Sequence, residues 1–108
     1  MRDKSLEDLL NDQLLAVPGL TQKGMFGGWA WLVNGNLLCG ARKGGMLLRL
    51  GKENEAWALE IPGVAPAIMG ARRMHGWVRA VPETYANDAL RQKLLDAALA
   101  FNRTLPKK

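Results

Sequence analysis

The sequence has few of the side chains that most enzymes and metal sites use. Among 108 residues there is one cysteine, Cys39, and one histidine, His75. A single cysteine excludes a disulfide within the chain and any site with several cysteine ligands, which is typical of a reducing compartment. A metal centre or a hydrolytic site needs several His, Cys, Asp or Glu side chains that converge. We therefore expect a non-catalytic protein without a metal or a cofactor.

Long apolar runs are also missing. Although 48% of the residues are hydrophobic, no stretch approaches the roughly 18 consecutive apolar residues that a membrane-spanning helix requires. The N-terminal residues MRDKSLED lack the apolar segment and the cleavage site of a signal peptide. We expect a soluble cytoplasmic protein, and its length suits a single domain over residues 1–108.

Acidic residues are absent from two long segments. The ten carboxylates fall at residues 3–12, 53–60 and 83–96, where the sequence has helical patterns. Residues 13–52 and 61–82 contain lysine and arginine but no acidic residue, so the net charge of +5 is concentrated there. Such cations can guard exposed strand edges against aggregation, or they can bind an anion, and the sequence leaves both explanations open.

Periodicity predicts an α+β chain. Ser5 caps a first helix that stops at Pro18-Gly19, a short helix spans about Lys52 to Glu60, and Asn87 caps a long helix that ends by Pro106. Strand patterns cover residues 20–25, 29–33, 37–42, 46–50 and 77–81, and Ala67-Ile68-Met69 is a candidate strand in the irregular segment 62–76. The order α-β-β-β-β-α-(β)-β-α predicts two layers, with an antiparallel sheet of five to six strands packed on helices.

Two tight turns predict the register of the sheet. Asn34-Gly35 is a strong hairpin signal, because a type I′ turn needs positive φ at both central residues, and Gly44-Gly45 is the second predicted turn. In this register Leu32 faces Leu37, Ala30 and Leu50 both face Cys39, and Ala41 faces Leu48. One face is then apolar and packs on the helices: Ala30, Leu32, Leu37, Cys39, Ala41, Met46, Leu48 and Leu50. The other face is predicted to be open: Trp29, Trp31, Leu38, Gly40, Arg42, Leu47 and Arg49.

The sequence supplies two sets of candidate site residues, of which the first lies on the predicted open face. The candidate partner or dimer surface is Trp29, Trp31, Leu38 and Leu47. An exposed apolar patch of that size usually marks an interface, although a cover formed by the chain's own segments and a base-stacking platform are alternatives. The candidate anion or nucleic-acid surface is Arg42, Arg49, Arg72, Arg73 and Arg79.

The remaining reactive positions have ordinary explanations. We expect Cys39 to be a small core residue rather than a reactive thiol. We expect His75 to be an exposed loop residue, because no carboxylate lies near it in sequence to orient it. The segment Gly24–Gly28 predicts a tight bend, since it lacks the lysine and the hydroxyl of a phosphate-binding loop. An enzyme acting on an anionic substrate near His75 is a further hypothesis, without identified partner groups.

Several short motifs, in order along the chain, resemble the N-terminal domain of the TfoX/Sxy family. They are Met25-Phe26-Gly27-Gly28, Val33-Asn34-Gly35, Leu48-Arg49-Leu50, Met69, Arg73-Met74 and Gly76-Trp77-Val78, and the ending Phe101-Asn102-Arg103-Thr104-Leu105-Pro106 is similar to that of short single-domain members. The resemblance implies a two-layer α+β fold like that of the secretion chaperones. It implies no catalytic residues. It does imply a bacterial regulatory role, because the namesake members regulate natural competence together with a transcription activator.

Two functional hypotheses follow. The first is a non-catalytic interaction or regulatory module with a protein partner in transcription regulation, which forms a homodimer through the Trp29/Trp31 face. The second is a nucleic-acid-binding protein that combines its arginines with tryptophan stacking.

Overall fold

The structure is a computed structural model that describes residues 4–25, 28–42, 45–69 and 71–107. The helices are α1 (Lys4–Leu14), α2 (Glu55–Leu59), α3 (Pro82–Tyr85) and α4 (Asp88–Asn102), and a 3₁₀ turn at Lys52–Asn54 precedes α2. The strands are β1 (Leu20–Met25), β2 (Gly28–Val33), β3 (Asn36–Arg42), β4 (Gly45–Arg49), β5 (Val64–Met69) and β6 (Arg72–Ala80). The predicted α+β fold, with an antiparallel sheet packed on helices, is confirmed.

The described strands form one antiparallel sheet in the order β1-β2-β3-β4-β6-β5. The segment predicted to be irregular is largely β5 and the first half of β6, which are longer than the sequence indicated. Pro66 lies in the edge strand β5, where a residue without an N–H is tolerated. Gly76 has a φ of +87° within β6, and the pairing with β5 shifts between Pro66 and Ile68. These irregularities hide the strand alternation in the sequence.

The first hairpin has the predicted turn but not the predicted register along its whole length. Asn34 and Gly35 have φ values of 53° and 82°, as a type I′ turn requires, and Leu32 pairs with Leu37 as predicted. The register then shifts by one residue, so that Trp31 pairs with Cys39 and Leu38 is the extra residue of a β-bulge. The predicted pairing of Ala30 with Cys39 is therefore wrong, because Ala30 pairs with Gly40.

The second hairpin is shifted by two residues from its predicted register. Arg42 pairs with Gly45 and Cys39 pairs with Leu48, so the pairings of Cys39 with Leu50 and of Ala41 with Leu48 are wrong. Gly45 is a strand residue, and Gly44 lies outside the described residues. Side chains in a strand alternate between faces, so a shift of two residues leaves each of them on its predicted face.

The helices pack on one face of the sheet. Leu6, Leu10 and Leu14 of α1 and Leu94, Leu95 and Ala98 of α4 join Trp31, Cys39, Met46, Leu48 and Val78 in one buried cluster, to which Ala58 of α2 also belongs. The predicted cap of the long helix is present, since Leu90 N donates to Asn87 Oδ1 at 3.0 Å. Among the described residues, no helix combines the length and the apolar character that a membrane crossing needs.

Candidate functional site

The bulge at Leu38 places the predicted tryptophan surface against the helices. Trp31 is 0% exposed, and its Nε1 donates to Asn11 Oδ1 of α1 at 2.9 Å. Leu38 is also 0% exposed in the same core cluster. Trp29 is partly buried against that cluster, and its Nε1 donates to Gln22 Oε1 at 2.7 Å. The predicted exposure of Trp31 and Leu38 is therefore wrong. The one-residue shift places Trp31 opposite Cys39, on the side of the helices, and Leu38 is the extra residue of the bulge, where the alternation of side chains is interrupted.

The side of the sheet opposite the helices carries small residues, leucines and arginines. The register aligns Ala30, Gly40, Leu47 and Arg79 across four neighbouring strands. Alternation along these strands adds further members of this side. We call it the open face: Ala30, Leu32, Leu37, Gly40, Arg42, Gly45, Leu47 and Arg79. Leu47 thus lies on its predicted face, but it is only 6% exposed.

Two arginines border a shallow cavity in the open face. The side chain of Arg79 lies over Gly45, where an added Cβ would come within 2.9 Å of Arg79 Cγ. The cavity has a volume of about 20 Å³ and is also lined by Gly40, Arg42 and Leu47, which is room for about one water molecule. Burial, and then the positive charge of Arg42, lower the pKa of Arg79. Within the described residues neither arginine forms an ion pair with a carboxylate, so the pair is a candidate anion site.

A larger cleft, of about 630 Å³, lies at the end of β4. Arg49 Cζ is 5.3 Å from the centre of the Trp77 ring and 5.4 Å from the centre of the Phe101 ring. Arg49 lies on the same side of β4 as Leu47, and its contact with Phe101 of α4 makes it part of this cleft. We call it the Arg49 cleft, and it is lined by Arg49, Leu50, Gly51, Lys52, Glu53, Asn54, His75, Gly76, Trp77, Ala100, Phe101 and Thr104.

Beside this cleft, the carboxylate of Glu55 lies close to two basic residues, Arg73 and His75. Glu55 Oε2 is 3.8 Å from Arg73 Nη2 and 4.0 Å from His75 Nδ1, while Glu55 Oε1 accepts a hydrogen bond from Gly76 N at 2.6 Å. The fold therefore supplies His75 with the carboxylate that its sequence neighbourhood lacks. His75 is exposed as predicted, but in β6 rather than in a loop. At 4.0 Å the pair lies beyond hydrogen-bond distance and does not fix the imidazole as a general base would require.

The five predicted arginines do not form one surface. Arg42 and Arg79 share the open face, Arg49 lies in its cleft, and Arg73 is held by Glu55. Arg72 is exposed at the start of β6. Sequence reasoning missed the parts that Glu55, Phe101 and Trp77 play. A signal existed for Trp77, which belongs to one of the motifs quoted above.

Cys39 is a core residue, as predicted. Its side chain is 0% exposed, and burial raises the pKa of the thiol. A thiol that stays protonated is a poor nucleophile and a poor metal ligand. In the described part of the chain, no three His, Cys, Asp or Glu side chains converge on a point that could hold a metal ion.

The fold and these surfaces define a small α+β protein with one antiparallel sheet, helices on one face, and a cationic open face. The family model described as the TfoX N-terminal domain matches residues 12–102, and the chain belongs to this family. The resemblance seen in the short motifs is thereby confirmed. No curated protein and no solved structure matches the chain significantly.

Proposed function

We propose that the chain is a non-catalytic regulatory module that binds an acidic segment of a partner protein at its open face. The observation that carries this proposal is the pair Arg42 and Arg79, which lack a carboxylate partner among the described residues and border an apolar floor. Membership in the TfoX N-terminal domain family supports a regulatory role. The proposed partner acts in transcription regulation.

The surroundings of the two arginines favour a protein segment with acidic and apolar side chains. Leu32 and Leu37 are neighbours across β2 and β3 on the open face, and both are partly exposed. Carboxylates of the partner would meet Arg42 and Arg79, while its apolar side chains would contact these leucines. Charge complementarity of this kind speeds association and selects partners, and the apolar contact adds affinity.

A second copy of the chain does not suit the open face. The chain carries a formal charge of +5, and a two-fold contact would place Arg42 and Arg79 opposite the same arginines of the other copy. Like charges across an interface cost several kcal/mol by typical magnitudes. The homodimer predicted from the sequence would also need Trp31 and Leu38 at its interface, but both side chains are buried within the chain. An acidic partner therefore fits better.

Nucleic acid is the second candidate, because no strand in the described part of the chain carries a carboxylate. The predicted stacking surface does not support it, since Trp31 is buried and Trp29 packs against the core. Contacts between arginine and phosphate would have to provide the affinity, and such binding weakens steeply with salt.

Two labelled probes of equal formal charge distinguish these candidates by fluorescence anisotropy at low salt. One is a peptide of alternating glutamate and leucine, and the other is an oligodeoxythymidylate. The variant Arg42→Gln/Arg79→Gln removes the cationic pair, and Arg103→Gln removes one exposed arginine at the end of α4 as a control. We expect the peptide to bind the wild type and the control, and to bind the double variant at least about tenfold more weakly, as the loss of two charge-assisted bonds implies.

Several results would contradict the proposal. It fails if the peptide does not bind at low salt, or if the double variant binds it as tightly as the wild type does. Binding of the oligonucleotide without the peptide, lost in the double variant, would replace it with the second candidate. Circular dichroism of each variant establishes that the fold is retained.

A further inference from the structure

The Arg49 cleft has the size of a small-molecule site. Its volume of about 630 Å³ falls within the roughly 300–1,000 Å³ that such pockets usually have. Aromatic walls from Trp77 and Phe101 combine with six polar or charged residues: Arg49, Lys52, Glu53, Asn54, His75 and Thr104. Apolar walls beside convergent polar groups allow a pocket to orient a bound ligand.

Arg49 is held so that it can recognise a planar anion. Its guanidinium lies 5.3 Å from the Trp77 ring centre and 5.4 Å from the Phe101 ring centre. Contacts with ring faces hold a guanidinium through cation–π attraction and leave its N–H edge for hydrogen bonds. Within the described residues Arg49 makes no ion pair with a carboxylate. Its N–H groups therefore match the two oxygens of a carboxylate or a phosphate.

The backbone around the cleft is fixed before any ligand arrives. Leu50 N and Gly51 N both donate to Gly76 O, at 2.8 and 3.0 Å. Gly51 and Gly76 have φ values of +85° and +87°, which side chains other than glycine rarely adopt. A Cβ on Gly51 would collide with the Phe101 ring, so close packing sets the position of that ring. A pre-formed cleft loses less conformational entropy when it binds a ligand.

The charges around the cleft favour an anion. The lining of the cleft contains two cationic side chains, Arg49 and Lys52, and one carboxylate, that of Glu53. The nearby Glu55 is engaged by the N–H of Gly76 and by Arg73, which compensates its charge.

We propose that the Arg49 cleft binds a small molecule that carries an oxyanion, either a carboxylate or a phosphate monoester, on an apolar body. The oxyanion accepts hydrogen bonds from Arg49, and the apolar body lies against Trp77 and Phe101. This site uses residues other than Arg42 and Arg79, so it does not depend on the function proposed for the open face.

Three probes of similar size test this site by ¹H–¹⁵N NMR: benzoate, phenyl phosphate and benzyl alcohol. We expect benzoate or phenyl phosphate to shift the amide signals of Gly51 and Gly76 and the indole signal of Trp77, with half-saturation at about 1 mM or below, as small ligands of this kind allow. Benzyl alcohol, which has the ring but no charge, should bind at least about tenfold more weakly. A response to one anion alone identifies the oxyanion as carboxylate or phosphate.

Matched variants locate the binding. Arg49→Gln should weaken binding of the anion at least about tenfold, the loss expected for a charge-assisted hydrogen bond. Lys93→Gln should leave it unchanged, because Lys93 makes the same kind of cation–π contact, 4.9 Å from the Trp57 ring centre, outside the cleft. Arg42→Gln/Arg79→Gln should also leave it unchanged, which keeps the result separate from the open-face experiment.

The site is ruled out if neither anion shifts these signals in the folded wild type. It is also ruled out if benzyl alcohol binds as tightly as benzoate, or if the spectra of Arg49→Gln respond like those of the wild type. If Arg49→Gln does not fold, Arg49→Lys keeps the charge but loses the bidentate geometry, so weaker binding by folded Arg49→Lys supports the site and unchanged binding contradicts it.

Discussion

Replacing Trp31 tests whether the β-bulge at Leu38 places this side chain in the core. Trp31→Phe removes the indole N–H that donates a hydrogen bond to Asn11 Oδ1 at 2.9 Å. Asn11 is partly exposed and regains water, so the lost hydrogen bond costs about 1 kcal/mol. The smaller ring also leaves a cavity at a position that is 0% exposed, which adds roughly 1–2 kcal/mol on the scale of core truncations. The free energy of unfolding should fall by about 2–3 kcal/mol.

Trp29→Phe is the matched control. Trp29 lies two residues earlier in the same strand and donates to the exposed Gln22 at 2.7 Å, and its ring is only partly buried. A hydrogen bond that water can replace contributes little, so the expected loss is below about 1 kcal/mol. Urea denaturation followed by far-ultraviolet circular dichroism measures both variants with a signal that does not depend on tryptophan fluorescence. Equal losses would contradict the burial of Trp31.

Trp31→Glu separates the two faces more sharply. On an open face this substitution would leave the fold intact, whereas in the core it buries a carboxylate beside α1. The penalty of several kcal/mol is comparable to the about 5–15 kcal/mol by which a typical domain is stable. We expect no cooperative unfolding transition for this variant. A cooperative transition within about 0.5 kcal/mol of the wild type, the range of surface substitutions, would refute both the register and the bulge.

Three further outcomes follow from the structure. Burial raises the pKa of the Cys39 thiol, so above a pH of about 8.5 the unfolded chain releases a proton that the folded chain keeps. The free energy of unfolding should therefore fall by about 1.4 kcal/mol per pH unit relative to Cys39→Ala, which lacks the thiol. Equal pH slopes of the two proteins in urea titrations would contradict this. Asn87→Ala removes the side chain that accepts from Leu90 N and should cost about 1 kcal/mol in the same assay, whereas Asn87→Ser should stay close to the wild type. Sedimentation equilibrium should show a monomer, because Trp31 and Leu38 are buried and the open face is cationic; a dimer would contradict that reasoning.

The elements that sequence predicted best are those with a local physical cause. The Asn34-Gly35 turn needs positive φ at both positions, and Asn87 caps α4 through its own side chain. Such signals need no information about distant parts of the chain. By contrast, α3 was missed because it is one turn that begins at Pro82, too short to show helical periodicity.

The approach of Glu55 to His75 could not have been predicted from sequence spacing. The two residues lie in different elements, α2 and β6, and meet because β6 pairs between β4 and β5 while α2 lies against it. A contact of this kind depends on the order of strands in the sheet. The same reason applies to Phe101, whose place in the wall of the Arg49 cleft depends on how α4 packs on the sheet.

The two register errors had different consequences. A shift by one residue moves a side chain to the other face of the sheet, whereas a shift by two residues leaves it on the same face. The strand WAWLV is apolar on both faces, so its composition does not show which face is buried, and one extra residue at Leu38 reversed the prediction for Trp31. Between β3 and β4 the error was two residues, so Arg42 and Leu47 stayed on the face opposite the helices. The cationic character of that face also rests on the absence of acidic residues from the six described strands, which no register shift can alter. Arg42 and Arg79 therefore remain a candidate binding site, although Trp31 and Leu38 belong to the core.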